Sequence, residues 1–305
     1  AADAHGYRFL PSLCSPPLCF LPISFLISLS LIAIVVASPT QRPFGVYHAT
    51  AYEIEDSDGI PAGWLDPRIG GGRLLDYTSK TRGEPLNIII AGTSDPFVLT
   101  DEGFSAYVGS IGYARECMGL HMGHIHLANL GDGDGRKPEA LLFRQHYRIP
   151  SWGTCWESIA GGQHFRAWRQ NGTEGNSGAW FLGASKEEDS ARGHTIVANG
   201  YNLGRDWFVE QALAGSELWV PHSGLPSGQT WLPEPSAGDS NDAPAPEGWP
   251  WPGTGGEHLQ FRAEVEWRWG LLEPGRRGIN HGIAQDGRTA ILTVHRVQSG
   301  VLSRG

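Results

Sequence analysis

The sequence predicts an α+β fold, a mixed and largely antiparallel sheet with two main helices in a single domain carrying a long irregular insertion. Three observations predict it. The elements read in the order strand, helix, strand, hairpin, helix, insertion, two strands, without the regular strand–helix alternation of a doubly wound fold. Only two segments repeat their apolar residues at helical spacing, and the longest strand signals flank a glycine- and asparagine-rich turn that pairs them antiparallel.

Taken in order, residues 38–83 form an irregular N-terminal segment rich in turn formers, with one strand signal at Val46 to Ile54. The α+β domain spans 84–305. Glu84-Pro85 leads into LNIIIAG, an apolar β-branched run that reads as a buried strand ending at Gly92. Thr100-Asp101-Glu102 then places a capping hydroxyl and two acids where a helix begins, and Phe104, Tyr107, Val108 and Ile111 continue at helical spacing. ARECMGLHM is the next strand, and the glycine-rich segment 131–138 is read as a loop.

QHFRAWRQ and AWFLGAS form a hairpin around Asn171-Gly172 and Asn176 to Gly178. Alternation puts His164, Arg166 and Trp168 on one face of its first strand and Phe165 and Ala167 on the other. A helix follows from about Leu203 to Leu213. Residues 215–258, rich in Pro, Gly, Ser and Trp, read as the irregular insertion. RAEVEWRWGLL alternates as a half-buried strand, and TAILTVHRV, entered through the Asp286-Gly287 turn, is the last.

Charge excludes one class of partner. The net charge is −9 and the pI about 5.7, with basic residues scattered, so nothing offers the footprint a nucleic-acid backbone needs. Residues 1–37 read as a signal peptide: Cys19 to Ala37 carries no charge and closes on the small residues Val35-Val36-Ala37, and the stretch ahead of it reads as an extension outside the fold. A membrane anchor of similar length is the competing reading. Cleavage would leave a secreted chain without stable membrane insertion, whose two remaining cysteines, Cys117 and Cys155, pair most simply as one disulfide worth about 4 kcal/mol. Asn171-Gly172-Thr173 is the glycosylation sequon, in a turn where a glycan is tolerated.

Two constellations carry candidate chemistry. In HMGHIHLANLGDGDG, His121, His124 and His126 are candidate ligands for a divalent metal, with Asp132 or Asp134 closing the shell; the alternative is a polar loop. Asp132-x-Asp134 begins like a calcium loop but meets Arg136 and Phe143 where further ligands belong, so it reads as a turn. The second constellation is His164, Arg166, His194, Arg205 and Asp206. If folded together, two arginines and two histidines would hold an anionic ligand; if not, Arg166 and Arg205 would pair with Asp206, Asp189 or Glu188. Nucleophile-elbow, phosphate-loop, dinucleotide and C-x-x-C signatures do not occur. Trp231, Trp249 and Trp251 in the insertion are of the type that stacks on sugars or tacks a loop down.

The order EPLNIIIAGTSD, QHFRAW, FLGASKEED, HTIVANGYNLGRD resembles the LssY C-terminal domain family, over roughly Glu84 to Leu213. The chain is also similar to secreted fungal proteins carrying GRLLDYTSKTRGEPLN and GGQHFRAWRQNG. In bacteria the domain is attached to membrane proteins, some phosphatase-like, and has no established activity of its own. The resemblance implies functional positions at His164, Arg166, His194, Arg205 and Asp206, and differs at Gly204, where an acidic residue is usual. The expectation is a secreted domain that binds an extracellular anionic or carbohydrate ligand without catalysis. The alternative is a hydrolase of phosphoesters or other polar substrates, working through these residues or a histidine-bound metal.

Overall fold

The computed structural model describes residues 63–116, 125–149, 152–221 and 256–297. All lie in the unit Ser57–Gly305. The elements are β1 (Asp76–Tyr77), β2 (Ile88–Ile90), α1 (Asp101–Ser110), β3 (Tyr113–Arg115), β4 (Leu127–Asn129), β5 (Arg136–Pro138) and β6 (Leu141–Gln145). Then come α2 (Gly153–Ala160), β7 (Gly162–Arg169), β8 (Trp180–Glu187), α3 (Gly200–Leu213), β9 (Ser216–Pro221), β10 (Gly256–Arg268) and β11 (Thr289–Val297). Eight strands build one sheet in the order β3-β6-β7-β8-β2-β11-β10-β9, antiparallel except where β2 meets β11; β1, β4 and β5 build a small antiparallel sheet. The class is α+β, as predicted. Among the described residues no helix is long and apolar enough to cross a membrane.

Strand alternation divides the large sheet into two faces with different chemistry. On the first, Ile88, Ile90, Phe143, Phe165, Ala167, Trp180, Leu182 and Leu292 meet Phe104, Tyr107 and Val108 of α1 and Phe208, Val209 and Ala212 of α3. Phe104 stacks on Trp180 at 4.5 Å and meets Phe143 and Phe165 edge-on, so one aromatic cluster fixes α1 to three strands. Thr100 caps α1 as read from the sequence, its Oγ1 accepting from Gly103 N at 3.0 Å. On the second face, Ile89, Trp168, Phe181 and Ile291 pack against Trp64, Leu74, Ala128 and Leu130. Beyond that smaller core the same face turns polar, and the candidate site lies there.

Several boundaries differ from the sequence reading. Residues 136–138 are a strand, not loop, because they pair with β4 in the small sheet. A third helix, α2, occupies 153–160; eight residues with Trp152 and Trp156 exposed leave no apolar stripe to read. Helix α3 starts at Gly200, its N-cap Asn199 being left-handed (φ 62). The first residues of the supposed insertion are β9, which pairs with β10 and seals the sheet edge over Ser110 and α1. The strand signal at 46–54 and the tryptophans Trp231, Trp249 and Trp251 lie outside the described residues.

Candidate functional site

Residues from nine segments meet on the polar part of the second face. Strand β7 supplies His164 and Arg166, and register puts Arg144 of β6 and Ser185 of β8 on either side of His164. Glu187 ends β8, Glu157 reaches in from α2, and His194 comes from the turn after β8. Asp76 of β1, Glu84 before β2, His126 before β4 and Glu139 after β5 complete the seam. All except Glu139 and Glu187 are buried residues, and the side chains of these two are only 10% exposed.

The seam has two ends. At one, Arg144 Nη1 donates to Glu157 Oε2 at 2.8 Å and to Glu187 Oε2 at 3.0 Å. His164 Nε2 lies 3.4 Å from Glu187 Oε1, and His194 Nδ1 lies 3.4 Å from Glu187 Oε2. Glu157 Oε1, Arg144 Nε and His194 Nδ1 are buried and make no hydrogen bond. Burial drives the His164 imidazole down to about 3; Glu187 partly offsets this, and the charges of Arg144, Arg166 and His126 reinforce it. His164 is therefore neutral. Burial also raises Glu157, to about 7, against the pull of Arg144 and with help from the nearby Glu187 charge. Burial opposes ionisation of Glu187 too, but Arg144, through its charge and its hydrogen bond, holds this carboxylate below its usual range.

At the other end every carboxylate has partners. Asp76 Oδ1 accepts from Glu84 N at 2.7 Å, and Asp76 Oδ2 lies 2.9 Å from His126 Nδ1. Glu84 Oε1 accepts from Asn280 Nδ2 at 3.0 Å, and Glu139 Oε2 from His126 N at 3.0 Å. Arg166 lies between Glu139 (3.5 Å) and Glu84 (3.9 Å). This packing depends on Gly83: a β-carbon there would stand 1.6 Å from the Asp76 carbonyl oxygen.

The residues expected to converge do so only in part. His164, Arg166 and His194 belong to the seam. Arg205 and Asp206 do not contribute to it: Arg205 clamps Asp286 with both Nη atoms (2.6 and 2.8 Å), donates to the Arg288 carbonyl, and bonds Asp206 through Nε at 2.9 Å. That guanidinium also sits over the Trp267 ring and is spent on tying α3 to the turn before β11. Arg166 pairs with Glu84 and Glu139 rather than with Asp189, Glu188 or Asp206. His121 and His124 lie outside the described residues. His126 is described, with Asp76 and Glu84 beside it; Asp132 is instead held by Lys137 at 2.6 Å.

Glu187 belongs to the acidic run 186–189 that the sequence places with the second constellation, whereas Glu157, Arg144, Asp76, Glu84 and Glu139 were missed in the sequence reading. Arg144 and Glu157 are the instructive cases: LLFRQHY and GTCWESIA carry one charge each inside apolar runs, and a lone charge among residues otherwise destined for burial is a usable signal.

Two chemistries can be weighed here. A serine–histidine–carboxylate relay needs the hydroxyl on one ring nitrogen and the carboxylate on the other. Ser185 Oγ is 3.4 Å from both nitrogens of His164, a long contact shared between them, so hydroxyl and carboxylate do not take opposite ring nitrogens and the site lacks that geometry. Metal ligation fits better, since Glu157, His164 and Glu187, and separately Asp76, Glu84 and His126, each bring three ligand atoms within 4.8 Å of one another. Comparison with protein-family models, curated proteins and solved structures gives no match for this chain.

Proposed function

We propose that this is a secreted, non-catalytic binding domain whose ligand site is the polar seam, and that its ligand is of the carbohydrate class. One observation carries the reading: nine segments bring five carboxylates, two arginines and three histidines onto one sheet face, although burying ion pairs is a poor route to stability. The charge balance selects the ligand. Arg144 is bonded to two carboxylates and Arg166 lies between two more, so an incoming anion would meet four carboxylates around the two guanidiniums, whereas hydroxyl groups donate to carboxylates without that cost. Glu139, Arg166 and Glu187, each about a tenth exposed, are where the seam reaches solvent. Secretion is supported by the apolar run ending at Ala37 and by Asn171, an exposed turn residue able to carry a glycan. Cys155 lies in the first turn of α2; Cys117, its proposed partner, lies outside the described residues. We keep the LssY C-terminal relationship as part of this proposal, on the motif order alone.

The test is calorimetry on the mature chain with neutral oligosaccharides and with inorganic phosphate, beside Arg166→Ala and Glu139→Gln. Saturable oligosaccharide binding weakened in both variants is expected. Phosphate binding alone, or no binding, overturns the reading.

A hydrolase is the second reading, favoured by Glu157 and His164: an acid titrating near neutrality beside a neutral imidazole suits proton transfer. Chromogenic phosphate and carboxylate esters turned over by the native chain but not by His164→Ala would establish it; equal background rates would remove it.

A further inference from the structure

We propose that Glu157, His164 and Glu187 form a binding site for one zinc-type divalent ion, held by Glu157 Oε1, Glu187 Oε1 and His164 Nε2. The inference rests on the seam being a ligand site, and adds a ligand that binds independently of any sugar.

The distances point to it. Zinc held at about 2.0–2.1 Å in tetrahedral geometry sets neighbouring ligand atoms about 3.3 Å apart. His164 Nε2 and Glu187 Oε1 are 3.4 Å apart, too long for the 2.7–2.9 Å of a charge-assisted hydrogen bond yet close to a tetrahedral edge. His194 Nδ1 repeats that separation from the other oxygen of Glu187 and makes no hydrogen bond. It is not among the residues whose ligand atoms lie within 4.8 Å of one another, so it is not counted as a ligand.

Independent support comes from Glu157. Its side chain is fully buried, and Oε1 has no partner although Oε2 is bonded to Arg144. A buried carboxylate oxygen left alone is costly, and a cation in the triad would satisfy it. Arg144 explains how the charges coexist. It takes the Oε2 atom of both glutamates, leaving Oε1 of Glu187 beside His164 and Oε1 of Glu157 unpaired, the outer-shell arrangement that orients metal-ligating carboxylates.

The Asp76, Glu84 and His126 triad meets the same proximity criterion but not the others. Asp76 and Glu84 are already bonded to Glu84 N and Asn280, and Asp76 and His126 sit at hydrogen-bond distance. It is a finished hydrogen-bond network. That makes it the internal control.

The experiment titrates zinc alone into the metal-stripped mature chain, with equilibrium dialysis and metal analysis, and repeats it with cobalt(II) to read ligand-field absorption. The variants are Glu157→Gln, which keeps shape and volume, His164→Ala and His126→Ala. One equivalent of zinc is expected in the native chain and in His126→Ala. Affinity should fall more than about 100-fold in Glu157→Gln and His164→Ala, since outer-shell changes alone cost 10–100-fold. No stoichiometric zinc in the native chain, or unchanged affinity in Glu157→Gln, overturns the proposal. Should His164→Ala fail to fold, Glu157→Gln decides. Zinc bound here with no oligosaccharide bound anywhere would sink the binding-domain reading and keep the metal site; the reverse result would do the opposite.

Discussion

Replacing Gly204 with alanine should destabilise the fold, although in an exposed helix it would do the reverse. Alanine gains about 1 kcal/mol over glycine in a helix interior. Here, however, a β-carbon would stand 2.4–2.5 Å from the backbone Cα, C and N of Ser185, and backbone in a central strand cannot rotate away. Ordinary contact begins near 3.4 Å, so α3 must rise off β8 by about 1 Å. That shift loosens Phe208, Val209 and Ala212, which α3 buries against the sheet. Gaps of that size forfeit a quarter to a half of each dispersion contact. Overpacking of this kind costs about 1–3 kcal/mol, and the immovable neighbour places it at or above the upper end. After the helix gain is subtracted, about 2 kcal/mol of destabilisation remains, or about 4–8 °C in melting temperature for a domain of this size. Urea unfolding of the mature chain is the assay, with Leu203→Ala as a control on an exposed neighbour, expected within about 0.5 kcal/mol of its parent. An unchanged or raised midpoint in Gly204→Ala would refute the close-approach argument.

Other outcomes follow from the same contacts. Arg205→Met should cost about 3 kcal/mol or more, because it strands Asp286 and frees α3 from the turn before β11, yet zinc and oligosaccharide affinities should not move; altered binding would show that Arg205 belongs to the site after all. Gly83→Ala should unfold the small sheet or abolish Asp76–His126 pairing, seen as loss of the His126 ring-proton shift in NMR, and a native-like spectrum contradicts it. Burial, with Arg148 adding to it, lowers His146 to about 4, so the unfolded chain takes up a proton between pH 6.5 and 4 that the folded chain refuses. This contribution is complete above pH 6.5 and is lost as pH falls, about 2 kcal/mol by pH 5. His146→Gln should remove that part of the slope between pH 7.5 and pH 5; a variant with the native slope would show that His146 does not titrate in this way.

Much of the fold was legible because it obeys local periodicity. The β7–β8 hairpin, the Thr100 cap of α1 and the strand Thr289–Val297 follow from alternation, a capping hydroxyl and an Asp-Gly turn. What escaped were short pieces stabilised by pairing rather than pattern. Two- and three-residue strands such as β1 and β5 carry no period to read, and β9 hides in a tract whose later composition is irregular. The site was half legible for a related reason. His164 and Arg166 announce themselves by sharing a strand face, whereas their partners arrive from segments far away in sequence, as Glu84 does to Arg166. Arg205 looked like a site residue because an arginine at a helix start suits anions, but its partner Asp286 is 81 positions away and no local pattern connects them.

We propose that Glu187 organises the polar seam on the second sheet face into a ligand site. Crystals of the mature chain grown with zinc, measured on both sides of the zinc absorption edge, test it most directly. One anomalous peak bonded to Glu157, His164 and Glu187 is expected, with Arg144 still bridging the two glutamates. Density that leaves those side chains bonded only to one another, with any zinc confined to surface histidines, would contradict it.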